Sequence, residues 1–471
     1  MMFWLRCLII VLMPSMGHAA TYTAAACTGT ADHTKVQTAV DSATDGDTVQ
    51  IQAGNCTFTA PVAWANKAIV VQGAGISSTT ITASSGAFSI TPTTTVGWRI
   101  TAMTISSATS GAVIDIYAFN VTAPLASRFR IDHLTMAMTS AGSPRGVNVQ
   151  GMVYGLIDHV TVTSVIGTAP HMVEVNAQSI TDNYAGGGLA GATSMALALD
   201  LGGDTAVYVE DSTYSQPFGG YGAINNITYG GRMVMRHNTY TGPVHLQTHA
   251  TRGQERGGMK SEYYNNVHDG LNDTVYPGPA NIIAGTGVMF NNTIKNADSG
   301  ATFTRFISML LYFQRCPDGA CVVNSAPTTL CSSSSGYDGG VEANGWPCLD
   351  QPGHIGGTPG SQSSVPVYLW NNGVEDGCST GGACSADRGI GINCGGSMAN
   401  YIKTTVHSNG AKDYCVGTTT MPGSCGTHTN TYTPYTYPHP LQGVTSKSRI
   451  GGGSRFMGGS KLLHEPEWQL E

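Results

Sequence analysis

The sequence contains little charge. Asp, Glu, Lys and Arg make up 11% of the 471 residues, and 22 Lys and Arg against 29 Asp and Glu give a formal net charge of −7. Without a basic field, the chain has no electrostatic basis for binding nucleic acid or an anionic membrane surface. We therefore expect neither as a partner.

Long apolar runs are also scarce. One follows Arg6 and extends from Cys7 to Met13, which is too short to span a bilayer, and the small residues leading to Ala20 suit cleavage by signal peptidase. We expect residues 1–20 to be a signal peptide and the mature protein to be secreted, extracellular or periplasmic. No membrane association beyond export is expected.

Motifs of several enzyme classes are missing. Gly186–Gly188 follows no strand-to-helix pattern of the kind that cradles a nucleotide, and no G-x-S-x-G nucleophile elbow occurs. The cysteine spacings, such as Cys316 to Cys321, lack the paired C-x-x-C pattern of a structural zinc site. Nucleotide-dependent and serine-hydrolase chemistry is therefore not indicated, and zinc is the weaker alternative to disulfides.

Cysteine itself is present, with 12 residues in the chain. Cys7 lies in the expected signal peptide, and export favours disulfides for the others, with at least one left unpaired because their number is odd. Cys27 and Cys56 stand apart from the cysteines between Cys316 and Cys425. We predict a Cys27–Cys56 disulfide, and the pairing of the later cysteines stays open.

The abundant residues are typical of a turn-rich all-β chain, with 61 glycines and many Thr, Ser, Asn and Val. One amphipathic helix is predicted near the mature N-terminus behind a candidate cap at Asp32, because apolar residues there have helical spacing: Val36, Ala39, Val40 and Ala43. The strand Thr48–Gln52 follows. We expect this helix to cover the open end of a stacked β structure.

An internal repeat dominates the middle of the chain. Six segments share one pattern, and their inward apolar anchors are Ile131, Ile157, Val209, Met235, Tyr263 and Met289. Successive anchors are 26, 52, 26, 28 and 26 residues apart, and we interpret the step of 52 as two coils. An earlier copy has its anchor at Ile100. A step of this size fits one coil of three short strands and three bends.

We therefore predict an all-β fold: a single-stranded right-handed parallel β-helix with an N-terminal capping helix and disulfide-rich C-terminal loops. Asparagines recur after the later anchors, and a further copy of the pattern ends at Asn372: Asn238, Asn265, Asn266, Asn291, Asn292 and Asn371. Asn tolerates the left-handed backbone of a tight bend, and stacked amides can bond from coil to coil. We expect a structural asparagine ladder.

One domain is expected, from residue 21 to residue 442. Residues 316–425 are predicted to be cysteine-rich loops on the last coils. The proline-dense segment Tyr432–Leu441 is predicted to be an extended cover over the final coil. Residues 443–471 are expected to be a poorly ordered tail because glycine and serine are frequent there.

The repeat, the helix that precedes it, and the segments Ile131–His133 and Ile157–His159 resemble the pectin lyase-like superfamily of right-handed β-helices. The resemblance covers residues 30–315, and more loosely extends to 441. It implies a polysaccharide partner, since many members bind or cleave acidic polysaccharides. The motifs of individual families do not match: Leu246–Gly253 lacks the arginine beside its histidine that alginate and dermatan lyases carry, and Thr228 lies where their lysine would be.

Seven ionisable residues crowd into the segment His245–Glu262, and strand alternation predicts that four of them point outward. β-Elimination of a uronate requires a cation near the carboxylate and a base for the neighbouring proton. The candidate catalytic residues are His249, Arg252, Arg256 and Lys260, and the candidate substrate-binding residues are His245, Glu255 and Glu262. The alternative is a solvated bend with surface ion pairs, each worth about 0–1 kcal/mol.

Asp132 and Asp158 occupy equivalent positions one coil apart, so their carboxylates should lie roughly 5 Å from each other. Such a pair requires compensation, and calcium is the candidate cofactor, with hydrogen bonding to nearby turns as the alternative. No other cofactor is indicated. Aromatic stretches around Tyr208, Tyr214 and Tyr263-Tyr264 could stack on sugars, or fill the interior.

The sequence thus predicts a secreted carbohydrate-active β-helix, a polysaccharide lyase in preference to a glycoside hydrolase, that acts on an acidic or plant-type polysaccharide. The alternative function is a non-catalytic adhesive or carbohydrate-binding surface solenoid. A structural spike would carry trimer-forming apolar stripes on the outside of the coil, which the sequence does not clearly contain. We expect a monomer.

Overall fold

The protein folds as a right-handed parallel β-helix preceded by one short helix, as the sequence predicts. A computed structural model describes residues 19–119, 121, 123–140, 142–165, 170–177, 193–217, 223–249, 256–269, 279–295, 307–309, 350, 352–356, 363–374, 390–392, 413–429 and 431–443. Among those residues, no helix is long and apolar enough to cross a membrane.

The strands are short and regularly spaced along the chain. The first are β1 Thr21–Thr23, β2 Thr48–Gln50, β3 Gly54–Phe58, β4 Val62–Trp64, β5 Val70–Gln72, β6 Thr79–Ala83, β7 Phe88–Ile90, β8 Trp98–Ser107, β9 Ala112–Ala118, β10 Leu125–Met138 and β11 Arg145–Gly151. The next are β12 Val153–Ser164, β13 His171–Asn176, β14 Val207–Glu210, β15 Thr213–Ser215, β16 Ala223–Thr228, β17 Arg232–Arg236, β18 Thr239–Thr241, β19 Val244–Thr248, β20 Lys260–Tyr264, β21 Val267–Asp269 and β22 Ala280–Ile282. The last are β23 Thr286–Phe290, β24 Thr293–Lys295, β25 Ile307–Met309, β26 His354–Ile355, β27 Ser363–Ser364, β28 Val367–Trp370, β29 Gly373–Val374, β30 Ile390–Ile392, β31 Tyr414–Val416, β32 Ser424–Cys425 and β33 His428–Thr429.

Two large parallel sheets form the walls of the coil. Among the described residues, the second sheet has ten strands, in the order β30, β25, β22, β19, β16, β13, β11, β9, β7, β4. In the same described part of the chain the first sheet has nineteen strands. Some coils contribute one long strand to it, such as β10 or β12, and others contribute two, such as β17 and β18 in the coil that β19 completes. Two hairpins, β26–β27 and β32–β33, are antiparallel.

The helix α1, His33–Ser42, lies where its apolar spacing predicts. Val36, Ala39 and Val40 are buried and join the main core. Asp32 precedes the helix, but its carboxylate accepts hydrogen bonds from the loop and the first coil instead of capping the helix. Burial would raise the pKa of Asp32, but these bonds and Lys35 outweigh it and lower that pKa well below its usual range. The carboxylate therefore ties the helix to the coil.

The anchors of the repeat stack in the predicted register: Ile100, Ile131, Ile157, Val209, Met235, Tyr263 and Met289 are successive neighbours in the first sheet. The interpretation of the 52-residue step as two coils is wrong, because Ile157 pairs directly with Val209. That step is one coil with an insertion, which spacing alone does not reveal. The copy around Leu369 is confirmed, since Leu369 pairs with Met289.

The interior of the coil is one continuous apolar core that extends from the helix to Leu369. Stacked rings fill part of it. Trp98 and Phe129 are stacked with ring centroids 5.4 Å apart, and Tyr240 stacks on His268 at 4.8 Å. Because a single coil cannot bury its own apolar face, this stacking is what makes the coils stable together.

The predicted asparagine ladder is present. The side-chain oxygens of Asn266, Asn292 and Asn372 accept hydrogen bonds from the amide nitrogens of the preceding rung at 3.1, 3.0 and 2.9 Å, beginning with Asn238. The residue before each rung has a left-handed backbone, for example Asn265 at φ 55°. His133 and His159 occupy that bend position on earlier coils, at φ 50° and 51°. The recurrence of these residues is therefore architectural.

Residues 431–443, called here the C-terminal strap, lie along the side of the coil. The sequence predicted this segment over the final coil instead. Tyr432 packs edge-on against Trp370, with ring centroids 6.3 Å apart. Arg236 donates to the carbonyl oxygens of residues 435 and 436 at 2.6 and 2.7 Å, and Arg130 to those of residues 441 and 442 at 3.2 and 3.1 Å. The prolines keep the strap out of the sheet, so the outward arginines satisfy its carbonyl groups instead.

The predicted Cys27–Cys56 disulfide is present and joins the loop before the helix to β3. A second disulfide joins Cys415 and Cys425 near the last described coil. The remaining cysteines of the predicted cysteine-rich loops lie outside the described residues, as do most of the signal peptide and the tail.

Candidate functional site

The two sheets present different outer surfaces. The outer side of the first sheet carries a second apolar cluster, with Tyr208, Tyr264 and Trp370, which packs beneath the strap. The outer side of the second sheet is polar. Its inward positions, such as Val173, Val175 and Leu246, belong to the main core, so the residues between them face away from it. We call the outward side chains of β9, β11, β13, β16, β19 and β22 the polar face.

One row of the polar face follows a single register position through six strands: Asp115, Asn148, Glu174, Asn226, Gln247 and Asn281. Asp115 accepts hydrogen bonds from Asn148 at 2.8 Å and from Gln150 at 3.1 Å. Aside from Asp115, these side chains are less than a tenth exposed. The row therefore forms a floor of amides and carboxylates instead of the apolar or charged surface common on exposed sheets.

Three ionisable groups meet at one edge of this floor. The Glu174 carboxylate accepts a hydrogen bond from Arg145 and lies 2.9 Å from His171 Nδ1. Burial would raise the pKa of Glu174, but the His171 hydrogen bond and the charges of His171 and Arg145 outweigh it and lower that pKa to about 2. Glu174 is therefore ionised at neutral pH and holds His171 with Nδ1 as the donor, which leaves Nε2 as the basic nitrogen.

A β-bulge brings His171 to this position. Residues three apart in a regular strand face opposite sides of the sheet, so His171 and Glu174 would not normally meet. The register between β13 and β16 shifts between His171 and Val173, and such bulges re-aim a side chain. Arg145 begins β11 beside His171, and its side chain is 38% exposed, so a ligand can reach it.

An aromatic pair, of which Tyr117 is exposed, lies at the other edge of the polar face. Tyr117 is 40% exposed and stacks on Phe119, with ring centroids 5.8 Å apart and planes 18° from parallel. In register with Tyr117 is a second outward row: Gln150, Asn176, Thr228 and, one position beyond Thr248, His249. Five strands at normal spacing make this row about 19 Å long. An aromatic platform with a line of polar groups is suited to an extended sugar chain.

The residues that the sequence singled out are divided between the two surfaces. His249 is partly exposed and ends the second row of the polar face, and His245 also faces outward but is 1% exposed. Burial lowers the pKa of His245 to about 3, so it is neutral at physiological pH. Arg252 and Glu255 lie outside the described residues.

The other predicted residues are buried in ion pairs away from the polar face. Lys260 and Glu262 begin β20 in the first sheet, are 0% exposed and lie 3.1 Å apart. Glu262 also accepts from Gly202 N at 2.8 Å and from the Tyr432 hydroxyl at 2.5 Å. Both point away from the core as predicted, but the strap and the chain near Gly202 cover them. They are therefore not placed to contact a polymer.

Arg256 is similarly engaged. Its guanidinium forms a two-pronged pair with Asp350, with both N–O distances 2.7 Å, and it is 1% exposed. It also donates to Gly356 O at 3.1 Å. Asp350 additionally accepts from Gly257 N at 2.9 Å, so this pair fixes the chain at residues 256 and 257, shortly before β20. The geometry gives Arg256 a structural role.

Arginines compensate the Asp132 and Asp158 carboxylates. The Asp132 carboxylate accepts two hydrogen bonds from Arg99, at 2.6 and 2.5 Å. The Asp158 carboxylate accepts two from Arg130, at 2.9 and 2.8 Å. Burial would raise the pKa of Asp132, but Arg99 and Arg130 outweigh it and lower that pKa. These residues do not fit a calcium ion, because guanidinium groups take the place of the cation. In the described part of the chain, no group of three or more His, Cys, Asp or Glu is placed to hold a metal.

The tyrosines named for sugar stacking are buried: Tyr208, Tyr214, Tyr263 and Tyr264. Tyr214 and Tyr263 belong to the interior core, and Tyr208 and Tyr264 pack beneath the strap. The sequence reasoning did not single out the pair of Tyr117 and Phe119. Strand alternation in β9 was the available signal. The apolar residues Ile114, Ile116 and Ala118 are buried, so Tyr117 between them faces outward.

Comparison with known proteins gives only a distant likeness. No protein-family model matches the chain, and no curated protein sequence matches it. An alginate lyase from Paenibacillus sp. str. FPU-7 is 15% identical, with a TM-score of 0.36, over 58% of this chain and 95% of that one. A Family 28 exopolygalacturonase from Yersinia enterocolitica is 11% identical, with a TM-score of 0.32, over 78% of this chain and 68% of that one.

A PL6 family alginate lyase, AlyGC, is 12% identical, with a TM-score of 0.32; the alignment covers 93% of this chain but only 60% of the lyase. Structures similar to this chain thus include polysaccharide lyases and glycoside hydrolases. The fold assignment rests on the strand register of this chain itself.

Proposed function

We propose that this protein is a secreted carbohydrate-active β-helix that binds an extended acidic polysaccharide on the polar face and cleaves it by β-elimination. The Arg145–His171–Glu174 cluster carries the proposal, because it combines a partly exposed cation with a carboxylate-backed imidazole. The Tyr117–Phe119 platform on the same face supports it by offering a ring surface to a sugar. The two disulfides are consistent with an oxidising compartment.

The cluster contains the groups that the reaction requires. The Arg145 guanidinium pairs with the uronate carboxylate and stabilises the negative charge that develops there. His171 Nε2 removes the proton from the carbon next to that carboxylate, while Glu174 stabilises the resulting imidazolium. The carbon–oxygen bond to the leaving sugar then breaks, its electron pair leaves with the oxygen, and a carbon–carbon double bond forms. A proton from solvent or the imidazolium completes the new hydroxyl.

Hydrolysis fits this face less well. Glycoside hydrolases use a pair of carboxyl groups, one of which must be protonated to act as the general acid. Glu174 cannot serve as that acid near neutral pH, because its hydrogen bonds and neighbouring charges lower its pKa to about 2. Asp115 lies two strands away in the same register, about 9.6 Å at normal strand spacing, which is too far for the carboxyl pair of a retaining hydrolase. The arrangement therefore favours a lyase over a hydrolase.

An absorbance assay tests the proposal. The mature protein is incubated with a panel of uronate-containing polysaccharides, and the ultraviolet absorbance of the unsaturated product is followed. We expect product with at least one polymer, loss of activity in Arg145→Ala, and partial activity in Arg145→Lys, which keeps the charge but not the planar fork. Absence of both unsaturated product and new reducing ends would contradict the enzymatic part.

The second candidate is a non-catalytic carbohydrate-binding solenoid. It is supported by the burial of Lys260, Glu262 and Arg256 in ion pairs, which removes these groups from chemistry and leaves the polar rows for binding. Polymer binding measured by calorimetry and lost in a polar-face variant, with no cleavage in the absorbance assay, would favour this function over the lyase.

A further inference from the structure

Charge is distributed unevenly along the polar face. The strands β9, β11 and β13 carry Asp115, Arg145, His171 and Glu174. The next three strands, β16, β19 and β22, contain no Asp, Glu, Lys or Arg. His245 on β19 is neutral at physiological pH, because burial lowers its pKa to about 3. The strands of the polar face therefore divide into a charged half and a neutral half.

The neutral half presents amide and hydroxyl groups that lack partners. Asn226, Gln247 and Asn281 are successive neighbours in register, and Thr228 lies two residues after Asn226. Asn226 Oδ1, Thr228 Oγ1 and both amide atoms of Asn281 have no hydrogen-bond partner, although these residues are 3%, 8% and 0% exposed. Buried polar atoms are normally paired, so unpaired atoms on a ligand-binding floor mark hydrogen bonds that a ligand would complete.

These groups recognise uncharged sugars better than uronates. A carboxamide offers both a donor and an acceptor, which match sugar hydroxyl or acetamido groups. A carboxylate placed over the neutral half would lose water without gaining a cation from these strands, which is unfavourable. The charged half has the opposite preference, since Arg145 can pair with a carboxylate.

We infer that the polymer bound here is a heteropolymer, with a uronate over Arg145 and His171 and uncharged, hydroxyl- or acetamido-bearing sugars over Asn226, Gln247 and Asn281. This inference rests on the proposed function and specifies its substrate class. Three strand spacings separate Glu174 from Asn281, about 14 Å, so several sugar units span both halves.

The test compares two oligosaccharides of equal length, one of alternating uronate and N-acetylhexosamine and the other of uronate alone. Affinity is measured by calorimetry and kcat/KM by formation of unsaturated product. We expect at least a tenfold preference for the alternating oligosaccharide in both. Equal or better binding and cleavage of the uronate homopolymer would overturn the inference and leave the proposed function intact. If neither oligosaccharide is bound or cleaved, both the inference and the proposed function are overturned.

Two variants locate the preference. Gln247→Glu should lower the affinity for the alternating oligosaccharide at least tenfold, because it adds a negative charge to the neutral half. The matched control, Gln72→Glu, makes the same change on the outer side of the first sheet and should have no effect. Thr228→Val removes one unpartnered hydroxyl with little change of shape, and should weaken binding of the same probe. Unchanged affinity in folded Gln247→Glu and Thr228→Val proteins would contradict the inference.

Discussion

The Nδ1 atom of His171 lies 2.9 Å from the carboxylate of Glu174, three residues later in the same strand. This contact orients the imidazole and directs its second nitrogen away from the carboxylate. Arg145 binds the same carboxylate, so a base and a cation occupy one edge of the polar face.

Replacing His171 should abolish cleavage while leaving binding largely intact. We expect His171→Ala to lower kcat by about 10²- to 10⁴-fold, the usual contribution of a general base, with little change in KM. The measurement is steady-state kinetics by ultraviolet absorbance. His133→Ala is the matched control, because the His133 imidazole is also held by a carboxylate but lies on the first sheet. Comparable loss in the two variants would argue against a specific role for His171.

Replacing Tyr117 should weaken binding. Tyr117→Ala removes the exposed ring that stacks on Phe119, and we expect KM to rise about tenfold, which corresponds to about 1.4 kcal/mol. Tyr117→Phe keeps the ring and should bind nearly as well as the unsubstituted protein. Calorimetric titration with an oligosaccharide checks both. Weak binding by Tyr117→Phe would indicate that the hydroxyl, not the ring, makes the contact.

The Lys260–Glu262 pair should matter for stability and not for chemistry. Lys260→Met leaves the buried Glu262 carboxylate without its cation, so we expect a loss of about 3 kcal/mol in the free energy of unfolding. The double variant Lys260→Met, Glu262→Gln removes both charges and should recover much of that loss. Urea unfolding and kcat/KM are measured on all three proteins. If the Lys260→Met protein folds but is inactive, the prediction is contradicted and Lys260 takes part in catalysis.

Buried histidines, among them His245 and His268, should make the fold sensitive to mild acid. Burial lowers the pKa values of His245 and His268 to about 3, so both stay neutral in the folded protein while the unfolded chain binds protons below pH 6.5. Their contribution to stability is therefore complete above pH 6.5 and is lost as the pH falls toward 3. Each should contribute a slope of about 1.4 kcal/mol per pH unit well below pH 6.5.

Urea unfolding between pH 7.5 and 5 measures that slope. His268→Gln replaces the imidazole beside the Tyr263 hydroxyl. It should reduce the slope by the contribution of one proton, about 1.4 kcal/mol per pH unit. His33→Gln, which replaces a partly exposed histidine at the start of α1, is the matched control. An identical pH dependence in all three proteins would show that other groups cause the acid sensitivity.

Much of the fold could be predicted from the sequence because each coil repeats one local pattern. The inward anchors and the ladder from Asn238 to Asn372 follow from spacing, since register in a stack is set by the apolar face. The step from Ile157 to Val209 could not be resolved in the same way. An inserted loop and an additional coil lengthen the chain equally.

The candidate site was harder to predict because distant segments decide which charges are accessible. Lys260 belongs to a charge-rich stretch, but Gly202 and Tyr432 meet its partner Glu262 across the coil, and nothing nearby in sequence indicates this burial. The His171–Glu174 contact was missed for another reason. It depends on a β-bulge, and strand alternation alone would place the two residues on opposite sides.

The most direct test of the polar face as the binding site is a crystal structure of the His171→Ala protein with a bound uronate-containing oligosaccharide. We predict a sugar ring on Tyr117 and a uronate carboxylate within hydrogen-bonding distance of the Arg145 guanidinium. An oligosaccharide bound along the strap on the first sheet, or at the turn before Lys260, with the polar face empty, would contradict the account.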